Sequence, residues 1–261
     1  MLYIHENNLD HKIDSDYGGK KEVIRQFKAD YYVPMKKQML LMEFCEDGES
    51  SFRRAADICN RYYDAINSFS DRYNIKSQSK FASTFLEEIS VYLFKNLPSI
   101  QSGALDIFNK GIYAGIKLSS ENDISIIKKD VDFCIGKKVK LTIDSTYNET
   151  IILPVVAVEV KTYLDATMFG EVKSSSKAIR SATPNSKTYV LMGYKDLADE
   201  HIIAARQDAT LTEMFALRKS SDSPIDWHAL YEYWREVSEA VNSLSKQEVV
   251  KPTGRLLFPE E

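Results

Sequence analysis

The stretch "VVAVEVKTYL", Val155 to Leu164, constrains the fold more than any other part of the chain. It reads as a strand that must be buried, because it is apolar on both faces until its end. Side chains alternate along a strand, so Val156, Val158 and Val160 point one way, and Val155, Ala157, Glu159 and Lys161 the other. A carboxylate and an ammonium at the end of a buried strand cost desolvation energy unless they pair or bind something. They are either a structural ion pair or groups that the strand delivers to a site.

The elements around this strand predict a helical start followed by an α/β core. Residues 20–75 read as three helices. "KKEVIRQFKADYYV" stops before Pro34, "MKKQMLLMEFCE" stops at the Asp47-Gly48 turn, and "SSFRRAADICNRYYDAINSFSDRYN" opens on a serine cap. "SQSKFASTFLEEISVYLFKNLP" is a fourth helix, ended by Leu97-Pro98. Beyond residue 100, "SIIKKDVDFCIG", "KKVKLTI", "TIILPVVAVEVK", "KTYVLMGY" and "TEMFALRK" read as strands, with a turn in "DSTYNE". A helix from Leu164 to Ala182 separates the third strand from the fourth, and "SPIDWHALYEYWREVSEAVNSL" is an amphipathic helix with Ser223 as cap and Pro224 at its first position. This order predicts an α/β fold, a mixed central sheet flanked by helices. Residues 1–77 form a helical N-terminal region and 78–261 the core.

Composition excludes several classes. Three widely spaced cysteines, Cys45, Cys59 and Cys134, form no metal-ligand pairing and fit a reduced cytoplasmic protein. There is no apolar run long enough for a membrane span and no signal core at the start. A formal net charge of −4 means that any nucleic-acid surface must be local. No glycine-rich phosphate loop or nucleotide fingerprint is present, so no nucleotide cofactor is expected. His5, His11, His201 and His228 show neither metal nor triad spacing.

Hydrolysis of a phosphodiester without a covalent intermediate calls for a divalent metal held by carboxylates, an activated water and charge neutralisation on the phosphate. An aspartate on one strand and a Glu-x-Lys pair on its neighbour supply those groups. "DVDFCIG" followed by "VEVK" offers Asp132 and Glu159 as metal ligands and Lys161 as the cation facing the water. Asp130 shares the face of Asp132 and is a reserve ligand or a strand-end residue; Asp132 ranks ahead because "DFCI" leads into the apolar interior. Glu-x-Lys recurs as Glu171 and Lys173 in "GEVKSSSK", but with no apolar run before it, so that copy reads as a solvated helix or loop. In the helix before the sheet, Phe81, Phe85, Ile89 and Tyr92 form an apolar stripe. Glu87 falls opposite the stripe and is expected in solvent, whereas Glu88 falls at its edge, turned toward whatever the stripe packs on, where either the metal or Lys161 partners it or it is a boundary glutamate bonded to a backbone amide or an arginine.

A helix glutamate, a strand aspartate and Glu-x-Lys in that order resemble the PD-(D/E)XK nuclease superfamily, over residues 79–195 or so. "EVKTYLDATMF" resembles the type II restriction endonucleases among them, in particular those reading short sites with an unspecified central base. The resemblance implies a restriction-endonuclease-like core and Mg2+-dependent, site-specific cleavage of double-stranded DNA, with Mn2+ able to substitute. It places Glu88, Asp132 and Glu159 at the metal and Lys161 at the water. No proline precedes either aspartate, which leaves the choice between Asp130 and Asp132 open, and the glutamine and tyrosine of the recombination branch are missing. Lys173, Lys177, Arg180 and Lys187 follow the motif and are candidate phosphate contacts. "NKGIYAGIKLSS" reads as a recognition loop or a plain hairpin. The N-terminal Lys20, Lys21, Arg25, Lys36 and Lys37 offer a second DNA surface. Cutting two strands needs two sites, so a homodimer is expected. The rival readings are a structure-specific or repair nuclease of the same superfamily, and a non-catalytic DNA-binding protein in which Glu159 and Lys161 form an ion pair.

Overall fold

A computed structural model describes residues 2–244 except 77–78, 119–123, 144–146 and 208–209. Five helices come first: α1 (Ile4–Asp14), α2 (Lys21–Phe27), α3 (Val33–Leu40), α4 (Glu49–Tyr73) and α5 (Phe81–Phe94). The short α6 (Pro98–Gln101) leads into β1 (Asp106–Phe108), β2 (Ile112–Leu118), β3 (Ile124–Lys129), β4 (Phe133–Ile143) and β5 (Tyr147–Leu164). Then come α7 (Ala166–Ala182), β6 (Lys187–Lys195), α8 (Asp199–Gln207), β7 (Glu213–Arg218) and α9 (Trp227–Ser243). The main sheet has five strands in the order β1-β4-β5-β6-β7, and β2-β3 is a separate two-stranded ribbon. β4 runs antiparallel to β1 and β5, and β5, β6 and β7 are parallel. The mixed, helix-flanked sheet with a helical N-terminal region is the architecture expected.

The two faces of β5 do different work. Val156, Val158 and Val160 enter a core shared with Phe85, Phe94 and Phe133, with Tyr233 of α9 and with the N-terminal helices. Ala157, on the opposite face, meets Ile112 of β2 and Ile179 of α7. The sheet is thus sandwiched between α5 and α9 on one side and α7 and α8 on the other, and the N-terminal helices pack outside α5.

Local details depart from expectation for physical reasons. Pro34 does not end a helix: residues 28–32 form a wide π turn that carries the chain into α3, loosening the turn where the ring would otherwise meet a carbonyl. α3 then ends at Leu40, well before Asp47-Gly48. Residue Gly48, not a serine, caps α4. α9 begins at Trp227, where the Asp226 side chain accepts from the His228 N–H at 2.9 Å, so Ser223 and Pro224 lie outside the helix. The expected first strand is broken at Asp130–Asp132 into β3 and β4, and β4 absorbs the expected second strand. Residues 144–146 of the "DSTYNE" turn lie outside the described residues. Helices α1 and α8 were not anticipated.

Gly193 sits where β6 passes β5 so closely that a Cβ would lie 2.3 Å from the Thr162 carbonyl oxygen. The neighbour is backbone and cannot swing away. Gly193→Ala should therefore cost about 2–3 kcal/mol by overpacking, seen as a lowered midpoint in thermal unfolding.

Candidate active site

The site forms where β4 begins and β5 nears its end. Phe133 pairs with Val158 across the ladder, and continuing that register sets Asp132 opposite Glu159. The Val160 N–H donates to Asp132 Oδ2 at 2.7 Å and pins the aspartate to the neighbouring strand. Lys161 Nζ lies 3.5 Å from Glu159 Oε2 and 3.9 Å from Asp132 Oδ2, so one ammonium stands between two carboxylates. Ser175 Oγ of α7 donates to Glu159 Oε1 at 2.9 Å and fixes the other carboxylate oxygen. All three charged side chains are partly exposed, while the valines of the strand beneath them are buried.

The alternation of β5 produces this arrangement. The valines anchor the strand from below, and the opposite register positions carry Glu159 and Lys161 up to the α7 face. Burial pushes the Glu159 carboxyl above its ordinary range, and the Asp132 charge beside it pushes the same way, while Lys161 and the Ser175 hydrogen bond oppose the rise. A carboxylate raised by its neighbour's charge marks a site short of positive charge.

Asp130 is not brought to this point. Its Oδ1 accepts from the Gly111 N–H at 2.9 Å and braces the approach to β2, so that Asp132 is the aspartate lying beside Glu159 and Lys161.

The two helix glutamates exchange the positions expected of them. The stripe of Phe81, Phe85, Ile89 and Tyr92 packs on the N-terminal helices rather than on the sheet: Phe85 meets His5 and Tyr62, and Phe81 meets Phe27 and Phe69. Glu88, at the edge of that stripe, is therefore carried away from the sheet and is wholly buried. Its carboxylate accepts from the His5 N–H at 2.8 Å, the Glu6 N–H at 3.2 Å, the Tyr32 hydroxyl at 2.8 Å and the Tyr92 hydroxyl at 2.5 Å. This corrects the placement of Glu88 at the metal: its acceptor positions are spent on the start of α1 and two tyrosines. Glu87, expected in solvent, is half-buried on the sheet side. Burial and the nearby Asp132 push its carboxyl up to about 8, against the opposing pull of Lys80, Lys161 and Lys110. One signal in the sequence could have found it. A helix apolar around most of its circumference is buried all round, so neither glutamate was free to be solvated.

Among the described residues no three or more His, Cys, Asp or Glu side chains cluster as a metal site. What the chain offers a cation is the Asp132–Glu159 pair, with Glu87 contributing charge nearby. The donor set is all carboxylate oxygen, which suits a hard divalent ion.

The second Glu-x-Lys lies on α7 with Glu171 exposed and belongs to a helix surface, as expected. Lys173, Lys177 and Arg180 recur at one helical face of the same α7 that supplies Ser175, and Lys187 opens β6. Lys173 stands over the Phe169 ring at 5.7 Å. In the N-terminal region, Lys36 pairs with Glu6 at 2.5 Å and lies over the Tyr3 ring, and Arg25 pairs with Glu22. Lys36 thus serves the packing of the helices.

Residues 78–249, more than half of the chain, match the sequence profile of the Bpu10I restriction endonuclease. The chain belongs to the Bpu10I restriction endonuclease family. The family match spans β4, β5 and α7, and so takes in every residue of the site just described. A solved structure described as the native BbvCI A2B2 tetramer at low resolution has the same fold at a TM-score of 0.69, with 16% sequence identity, covering 94% of this chain and 97% of that one. Among curated proteins no match was found. Fold and family are thus those of a restriction endonuclease, as the resemblance implied. Among the described residues no helix is long and apolar enough to cross a membrane.

Proposed function

We propose that this restriction-endonuclease family member is a type II enzyme that hydrolyses phosphodiesters of double-stranded DNA at a specific site with Mg2+, for which Mn2+ substitutes. The observation that carries the reading is the meeting of Asp132, Glu159 and Lys161 at one point of the sheet in a chain of this family. Asp132 and Glu159 would hold the ion, with Glu87 adding charge beside them. When bound, the ion supplies Lewis acidity for the phosphate and for a water. The Lys161 ammonium holds the attacking water or a phosphate oxygen in place and offsets charge as the water oxygen bonds to phosphorus. The P–O ester bond opposite breaks, leaving a phosphomonoester and a hydroxyl. Ser175 keeps Glu159 oriented, and the Val160 N–H does the same for Asp132. Lys173, Lys177, Arg180 and Lys187 would contact phosphates alongside.

The test is incubation with mixed-sequence plasmid DNA and Mg2+, followed by sequencing of the ends: discrete ends at one short sequence support the reading, whereas ends set by branches or by nothing at all favour the rival nucleases. The metal arm has its own expected result. Excess chelator should stop cleavage, and Ca2+ should support DNA binding without cutting. Because burial and mutual repulsion raise Glu159, and Glu87 is raised too, metal binding requires losing protons that these groups hold unusually well. Mg2+ affinity should therefore climb as pH rises toward about 8, the value to which Glu87 is raised. Titration calorimetry without DNA would measure it. Full activity in chelator would end the metal reading.

Two cuts require two such sites, and a homodimer is the simplest assembly. The A2B2 composition of the BbvCI tetramer favours a second reading, in which this chain also pairs with a different chain. Light scattering of the purified chain, with and without duplex DNA, separates the two.

A further inference from the structure

Among the described residues the ribbon of β2 and β3 joins no ladder of the main sheet, although β2 packs on β5 and α7, and its two ends live in different surroundings. Its inner end is fastened to the site. The Lys110 N–H donates to the Val131 carbonyl at 2.8 Å, the Gly111 N–H donates to Asp130, and Ile112 and Val131 are buried against Ala157 and Ile179. The chain passes from this anchor to Asp132 in a single step. Its outer end exposes large apolar side chains: Ile116 is 52% exposed, Leu118 67% and Ile127 46%. Large apolar side chains so exposed, near the Asp132–Glu159–Lys161 site, are what a binding surface looks like.

We infer that the β2–β3 ribbon is the element that enters the major groove of the DNA and reads it, a role that rests on the nuclease reading of the neighbouring site. Charge selects this occupant over a protein surface. The described strands carry Lys117 and Lys129, besides Lys128 that pairs with Glu149, and no carboxylate, in a chain whose net charge is −4. Continuity selects it too, since a duplex whose phosphate lies at Asp132, Glu159 and Lys161 passes the ribbon that begins beside them. The dimensions agree, since a two-stranded ribbon fits a major groove about 12 Å wide. The ladder registers explain the shape. Ile116 pairs with Ile126 and Leu118 with Ile124, so four apolar side chains share one face. The register shifts between Tyr113 and Gly115, and Gly115 takes a φ of +143°, a bulge that bends the outer half relative to the anchored half. Lys128 is held at 2.5 Å from Glu149 of β5, which braces the ribbon against the main sheet. The apolar face then meets base edges and thymine methyl groups, while Lys117, on the other face, reaches the backbone.

The experiment uses the full chain. The cut site is first read from plasmid ends, and binding is then measured by fluorescence anisotropy in a non-cutting Lys161→Ala background, on a duplex carrying that site and on a scrambled duplex. The double variant Ile116→Ser, Leu118→Ser should lose about tenfold in affinity for the cut site and much less for the scrambled duplex. In the cutting background it should cleave additional sites. Lys117→Ala should weaken both duplexes by a similar few-fold factor, with a shallower salt dependence. Ile203→Ser, at another exposed apolar position on α8, is the control and should change neither. All the replaced side chains are exposed, so unfolding midpoints should hold. Unchanged discrimination in the double variant would overturn the inference, as would a loss of discrimination that appears only with a loss of dimer in light scattering, which would make the face a contact between chains. Failure of the wild-type chain to cut any plasmid is a different result and would remove the reading of this chain as a nuclease sufficient by itself.

Discussion

Lys161→Ala should lose cleavage by roughly a thousandfold or more while folding and DNA binding persist. Among the described residues the ammonium is the one positive group within 4 Å of both Asp132 and Glu159, at 3.9 and 3.5 Å, so none of them stands ready to replace it. Its removal leaves the strand intact, because the valines of the opposite face hold β5 in the core and Lys161 itself is partly in water. Lys173→Ala should keep most of the activity, since its Glu-x-Lys lies on the α7 surface. Asp132→Asn should behave like Lys161→Ala, with DNA bound as well or more tightly once a repelling charge is gone, and an amide oxygen can still accept from the Val160 N–H. Asp130→Asn should cost far less, because its partner is the Gly111 N–H and not the site. Single-turnover cleavage with separate binding curves measures all four. A Lys161→Ala chain that cuts normally would leave a strand-end ion pair and nothing more.

The parts of this molecule that were legible in the sequence are those fixed by local periodicity. The alternation of β5 gives the pairing of Glu159 with Lys161 on one face, and the apolar run "DFCI" correctly points to Asp132 as the partner across the ladder. What was not legible depended on which neighbour a face meets. The stripe of α5 is real, yet a stripe does not say whether a sheet or another helix covers it. Here the unforeseen α1 lies against it, and that contact reverses the roles expected of Glu87 and Glu88. The break between β3 and β4 was hidden for a similar reason. "SIIKKDVDFCIG" reads as continuous strand, and only the pairing of β3 with β2 shows that the chain leaves one sheet and enters another at Asp130–Asp132. Pro154 was equally opaque. It is tolerated within β5 because the ladder is irregular there and β6 does not begin to pair until Val156.

Adjacent glutamates on α5 should give opposite results when neutralised, and the pair tests the account of the site most severely. Glu88→Ala should destabilise the protein by about 3–5 kcal/mol, because it leaves two backbone N–H groups and two tyrosine hydroxyls buried without their acceptor. The loss should appear as detachment of the N-terminal helices, visible as early amide exchange in α1. Glu87→Gln should do the reverse. Its carboxyl is raised to about 8 in the folded chain, so between about 4.5, its ordinary value, and about 8 the native state holds a proton that the unfolded chain has released. Stability contributed there is present at low pH and lost as pH rises through that window. Without metal, then, Glu87→Gln should leave the unfolding midpoint unchanged near pH 4 and raise it above pH 8, where the wild-type carboxylate is charged beside Asp132. The same substitution should reduce cleavage, since the charge that destabilises the empty fold is the charge a divalent ion would use. A variant both more stable at alkaline pH and slower at cutting is the signature of a functional carboxylate. Glu87→Gln with normal cleavage would return the helix glutamate to a purely structural part, and Glu88→Ala with full stability but no cleavage would restore the order first expected from the sequence.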